Sequence, residues 1–205
     1  MLETLLSFAL ATFTLACSPG PDNIFVLTQS IVNGRKFGLA TVYGLISGCI
    51  VHTTLLAFGV SAMIKASENL FFGIKLFGAI YLLYLAYKVF KADTSILLSQ
   101  ENVEKRTTLQ LFKQGFVMNV LNPKVSIFFL AFFPGFLFSN TLSTVVQFYL
   151  LGFLFMAVSL IVFSLIALLA GSISEKIQRN KNIGVVLQWT QIIVFVAISI
   201  FILLP

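Results

Sequence analysis

The sequence predicts an all-α integral membrane protein: six transmembrane helices forming two inverted three-helix repeats, with helices 1 and 4 broken at mid-membrane. Three observations carry that expectation. Of 205 residues, 59% are hydrophobic and 10% charged, with a mean hydropathy of +1.02, whereas a soluble domain carries about 25% charged residues. Apolar stretches recur at about 20 residues or more, enough to span hydrocarbon as helices, without the period-two alternation of a barrel. Two of those stretches carry a proline near their middle. The whole of 1–205 reads as one membrane domain: repeat A over about 1–90, a central loop at about 91–108 and repeat B over about 109–205.

The first span, Leu5–Val32, contains "TLACSPGPDNIFVLTQS" at 14–30. Proline removes a backbone donor and clashes with the preceding turn, at about 3 kcal/mol or more inside a helix. Pro19, Gly20 and Pro21 therefore end one half-helix and begin another, with Gly20 as N-cap and Pro21 at the first helical position. The N-terminus lacks the basic start of a cleaved signal, and "TLAC" has Thr14 where a lipoprotein site needs an aliphatic residue. "NGRK" at 33–36 leads to the second span, Phe37–Ile64, where Gly44 and Gly48 form a GxxxG packing face. "KASEN" at 65–69 reads as a solvated outer loop before the third span, Leu70–Phe90. The stretch 91–108 has room for a short interfacial helix.

The fourth span, Leu109–Phe138, repeats the interruption at Asn122-Pro123, again an N-cap followed by a first-position proline. Its "FFLAFFPGF" at 128–136 is expected to be lipid-facing bulk, with Pro134-Gly135 ending the span. "SNT" at 139–141 precedes the fifth span, Leu142–Ala170, and "SEKIQRNKN" at 174–182 precedes the sixth, Ile183–Leu204. Gln188, Trp189 and Gln191 near the start of that span suggest an interfacial belt. Cys17 and Cys49 lie inside spans, where small buried hydrophobes are the default use.

With six spans, the first, third and fifth connections share one side and hold ten of the 13 basic residues, among them Arg35, Lys36, Lys105, Arg106, Lys176 and Arg179. The opposite side has Lys65 and Lys75. The positive-inside rule then places the three basic loops in the cytoplasm and both termini outside it. The net charge of +6 is a topology signal that faces anionic lipid headgroups, and it gives no support to a nucleic-acid partner.

Asp22 and Lys124 stand 102 positions apart, half the chain, each directly after a breaking proline. Three spans per half is an odd number, so the halves run in opposite orientations. Pro-interrupted spans at matching places in inverted halves point to a transporter's binding site. Unwound backbone at that depth must line a cavity or be buried in protein, and an ionised residue there costs about 2.5–3.5 kcal/mol on insertion scales. Two readings stay open: Asp22 and Lys124 form a structural ion pair between the halves, or they contact cargo or a coupling proton. Ser18, Asn23, Asn119 and Asn122 supply neutral polar groups at the same level, as cargo contacts or as helix caps.

"SPGPDN" in the first span and "GFVMNVLNPK" opening the fourth, in a chain of this length with this hydropathy, resemble the LysE/RhtB family of bacterial amino-acid exporters. The resemblance covers essentially the whole chain. It implies a multi-pass protein of the bacterial inner membrane that exports amino acids or their derivatives by proton antiport, often as a homo-oligomer, with a dimer expected. For single positions it implies roles at Pro19, Gly20, Pro21, Asp22, Asn122, Pro123 and Lys124. No cofactor is expected.

An amino acid fits such a site. Lys124 and the free N–H groups of a half-helix suit its carboxylate, and Asp22 suits its ammonium. Rocking of the halves would expose the site outward, and protonation of Asp22 would release the ammonium. Three other readings remain. Cys49 and His52, at i and i+3, together with Cys17 suit a soft divalent cation, which would make the chain a heavy-metal exporter of the same superfamily. His52 is also a possible proton relay, or else an interhelical contact. An enzyme is disfavoured, because no metalloprotease, nucleophile-elbow or phosphate-loop motif occurs.

Overall fold

The computed structural model describes residues 1–18, 20–66, 68–92, 106–179 and 182–203, which are helical with short connections and contain no strand. Pro19 and the 93–105 part of the central loop, including any interfacial helix there, lie outside the described residues.

Helix α1 (Leu2–Cys17) stops at the first break and α2 (Pro21–Val32) follows it. The next turn needs Gly34, whose φ of 98° is one that L side chains rarely adopt. Helix α3 (Arg35–Leu55) runs through a widened π turn at Leu56–Val60 into α4 (Ser61–Ala66), and α5 (Glu68–Lys91) returns. Helix α6 (Thr108–Val120) starts in a capping box between Thr107 and Gln110. After the second break come α7 (Pro123–Ile127), a π segment at Phe128–Phe132 and a 3-10 turn at Phe133–Phe136. Helix α8 (Thr144–Leu168), capped by Ser143, then α9 (Ala170–Arg179) and α10 (Asn182–Leu203) complete the chain.

Four helical stretches are long and apolar enough to cross a membrane: Arg35–Met63, Phe71–Lys91, Thr144–Leu168 and Gly184–Leu203. Two further pairs pass the same test together but are bent by more than 40°, namely Leu2–Cys17 with Pro21–Val32 and Thr108–Val120 with Pro123–Phe136, the latter by 48°. Among the described residues the count is therefore four spans, or six if each bent pair crosses once.

The principal packing seam joins α3 to α6. Glycines let the two backbones touch there: a Cβ on Gly44 would overlap the Phe112 carbonyl, and one on Gly115 the Thr41 carbonyl. In a bilayer, where apolar contact alone gives no preference for protein over lipid, such close van der Waals approach holds helices together. Helix α5 packs on α10, and α8 lies against α1, α2 and α3. Gln188 donates to the Val89 carbonyl at 2.7 Å and to the Ala92 carbonyl at 3.0 Å, capping the end of α5. Gln147, almost fully buried, accepts from the Phe138 and Ser139 amides and donates to the Ser139 and Leu142 carbonyls, which satisfies the turn before α8.

The phenylalanine run corrects an expectation. Phe128, Phe129, Phe132, Phe133 and Phe136 are all buried, not lipid-facing. Phe128 stacks on Phe132 at 4.4 Å and Phe129 on Phe133 at 4.1 Å, while Phe8 of α1 meets Phe133 edge-on at 4.9 Å. The run is the aromatic core that fixes the second half of the fourth segment. Cys17, expected to be buried, is exposed on α1, whereas Cys49 is buried.

Candidate functional site at the two helix breaks

Both breaks use the same local chemistry. At the first, Ser18 and Gly20 are extended, Gly20 is the N-cap of α2 and Pro21 opens the helix. At the second, Asn122 is extended, Pro123 opens α7, and the Asn122 side chain caps it by accepting from the Lys124 amide at 3.0 Å. Proline fits the first helical position because its missing N–H has no intrahelical acceptor there. Asp22 and Lys124 thus occupy the second position of their helices.

The breaks lie against each other and are joined by side chains from the second. The Asn122 amide crosses to donate to Asp22 Oδ2 at 2.8 Å. Lys124 Nζ lies 3.5 Å from the Ser18 carbonyl, where α1 ends, and 5.3 Å from the centre of the Phe195 ring. A Cβ on Gly20 would lie 3.6 Å from that ammonium, an ordinary van der Waals contact, so the two groups adjoin without glycine being required there. The lysine charge thus rests on the negative end of α1's dipole. Asp22 is only 8% exposed. It does not form an ion pair with Lys124 within 4.0 Å, although both line the same cavity.

The other polar candidates brace this arrangement. Asn23 donates to the Ala16 carbonyl at 2.8 Å, tying the start of α2 to the end of α1. Asn119 accepts from Cys49 Sγ at 3.7 Å through its side chain. Its carbonyl lies 3.0 Å from His52 Nε2; a carbonyl can only accept, so Nε2 carries a proton. His52 therefore contacts the end of α6, not Asp22. Ser18 is fully buried and its hydroxyl has no partner.

The cavity between the breaks measures 40 Å³. A water needs about 10–15 Å³ on this measure, so the space suits a few waters and must widen to take an amino acid. Asp22, Asn23, Asn119, Asn122 and Lys124 line it, and so does Cys49. Leu45, Ile46, Phe155, Ser159 and Phe163 from α3 and α8 complete the wall; these were missed in the sequence. Phe155, Ser159 and Phe163 repeat at i, i+4 and i+8, a signal that one face of α8 differs from lipid-facing surface. Among the described residues, no group of three or more His, Cys, Asp or Glu side chains is placed to hold a metal ion. Chemically, the site offers one carboxyl and one amine that stand beyond ion-pair distance in the same cavity, with the Asn122 amide donating to the carboxyl.

The family model described as LysE type translocator matches residues 13–203. The leucine efflux protein of Klebsiella pneumoniae is 26% identical over 179 residues, 87% of this chain and 84% of the relative. The leucine efflux proteins of Salmonella choleraesuis and Salmonella typhimurium are each 30% identical over 169 residues, 81% of this chain and 78% of theirs. No solved structure matches the chain.

Proposed function

This chain belongs to the LysE-type translocator family, and we propose that it exports amino acids, with leucine as the first cargo to test, across the bacterial inner membrane. The observation that carries this reading is the pair of opposite charges lining one cavity without an ion pair between them. The names of the relatives support the choice of leucine.

In the proposed cycle, each bent pair crosses the membrane once, and both termini lie outside the cytoplasm. The cargo carboxylate binds Lys124 and first-turn N–H groups of α2; its ammonium binds Asp22. Asn122 holds the carboxylate of Asp22 in place. Protonation of Asp22 from the outside then removes the ammonium's counter-charge and releases cargo, which couples export to proton entry. The Asn119 carbonyl between His52 and the site has no proton to pass on, so we assign His52 to positioning α6 rather than to a relay.

Alternating access would follow from two inverted halves, 1–90 and 109–205. The packing is consistent with such a relation. The fifth segment lies against the first as the second lies against the fourth, while the second packs on the fifth and the third on the sixth. Exchanging the halves maps these contacts onto themselves, although the first segment packs on the second far more extensively than the fourth does on the fifth.

The test is leucine counterflow in proteoliposomes containing wild type, Asp22→Asn or Lys124→Met. A charge-assisted hydrogen bond contributes about 1.5–3 kcal/mol, so each variant should weaken cargo binding by about 10- to 150-fold. Wild-type rates in both folded variants would defeat the assignment.

A further inference from the structure

Hydroxyl side chains inside apolar helices commonly turn back onto the carbonyl four residues earlier. Ser30, Thr53 and Thr54 do so here, at 2.7, 2.8 and 2.8 Å. Ser159 of α8 does not: its Oγ has no hydrogen-bond partner, although the residue is 2% exposed. Ser159 also lines the cavity at the breaks. Phe155 and Phe163, four residues to either side, share that lining and make one stripe along α8. Phe155 is held edge-on by Phe129, with ring centres 4.9 Å apart.

The lining divides by element. Helices α2, α6 and α7 bring the charges and amides, while α3 and α8 bring a mainly apolar wall in which Ser159 is the single hydroxyl among the described residues. An amino acid held through its α-groups by Asp22 and Lys124 has its side chain left to meet that wall. We infer that Ser159 is a specificity-determining residue: its hydroxyl bonds a polar atom on the cargo side chain, and the gap it leaves between Phe155 and Phe163 limits that side chain's size. This rests on the exporter reading above.

A buried hydroxyl left without a partner is unfavourable. Apolar cargo leaves Ser159 unpaired, and cargo with a hydroxyl or amide near its γ position satisfies it. Discrimination is therefore sharpest between side chains of equal shape and different polarity.

The experiment measures competition with labelled alanine counterflow in proteoliposomes, using two near-isosteric pairs, threonine with valine and asparagine with leucine. Wild type is compared with Ser159→Ala, which removes one atom and keeps the packing, and with Ser159→Leu, which fills the gap. Ser159→Ala should shift the inhibition ratio of each pair about tenfold toward its apolar member. Ser159→Leu should lose competition by valine and leucine and keep it by glycine. Unchanged ratios in Ser159→Ala, or equal loss of every competitor in Ser159→Leu, would overturn the role of Ser159. Failure of wild type to exchange any amino acid would instead overturn the exporter reading.

Discussion

Replacing Asn122 with serine separates the two tasks of this side chain. Serine caps a helix about as well as asparagine, so α7 keeps its N-cap. Its hydroxyl is too short to cross to the other break, so the 2.8 Å bond to Asp22 Oδ2 is lost. Asp22 is 8% exposed, and Asn122 is the one side chain among the described residues that donates to its carboxylate. A hydrogen bond to a charged group contributes about 1.5–3 kcal/mol, and a domain of this size loses about 2–4 °C in Tm per kcal/mol. The expected change in detergent is a fall of about 3–12 °C with an unchanged elution profile. If the bond accounts for the effect, Asp22→Ala, which removes the acceptor, should abolish it, so the double variant should be no less stable than Asp22→Ala alone. Leucine counterflow should fall, because the carboxylate that meets the cargo ammonium is no longer held in place. A melting temperature and counterflow indistinguishable from wild type would refute the idea that Asn122 holds the carboxylate, and with it the joining of the two breaks.

Three further outcomes follow. Gly48→Ala places a Cβ 2.7 Å from Asn119 Oδ1 and 2.8 Å from Asn119 Cβ; overpacking of this kind costs about 1–3 kcal/mol, read as a lower melting temperature with impaired counterflow. Gln188→Leu uncaps the last carbonyls of α5, costing about 1 kcal/mol in thermal unfolding while leaving the competition profile of the cargo unchanged. His52→Gln keeps a donor for the Asn119 carbonyl and should preserve uptake driven by a pH gradient, whereas His52→Leu should lower stability; loss of gradient coupling alone in His52→Gln would instead identify a relay.

The breaks were readable because proline, glycine and asparagine act on their own turn: Gly20-Pro21 and Asn122-Pro123 carry cap and first helical residue in the sequence itself. The charges were readable as well, since Asp22 and Lys124 are costly in any apolar segment. Their partners were not. Opposite charge left a direct pair and separate contacts with cargo both open; Asp22 takes an amide from Asn122 and Lys124 reaches a backbone carbonyl, and side-chain reach across 100 residues of chain leaves no local trace. The apolar wall of α8 was hidden for another reason. Lipid and protein interior both favour apolar side chains, so Phe155 and Phe163 on the cavity look like their lipid-facing neighbours Phe153 and Ile161. The phenylalanine run carried a clue that composition obscured: residues 128, 129, 132, 133 and 136 share one helical face, a stripe that lipid would not require.

Protection of Asp22 from chemical modification tests most directly whether it grips the cargo's ammonium. Wild-type protein in liposomes is treated with a hydrophobic carbodiimide, with and without leucine, and the Asp22 peptide is quantified by mass spectrometry. Leucine at saturating concentration should slow modification of Asp22 several-fold, while N-acetyl-leucine, which lacks the ammonium, should leave the rate unchanged. Equal modification of Asp22 with and without a cargo that the same vesicles exchange would contradict the account.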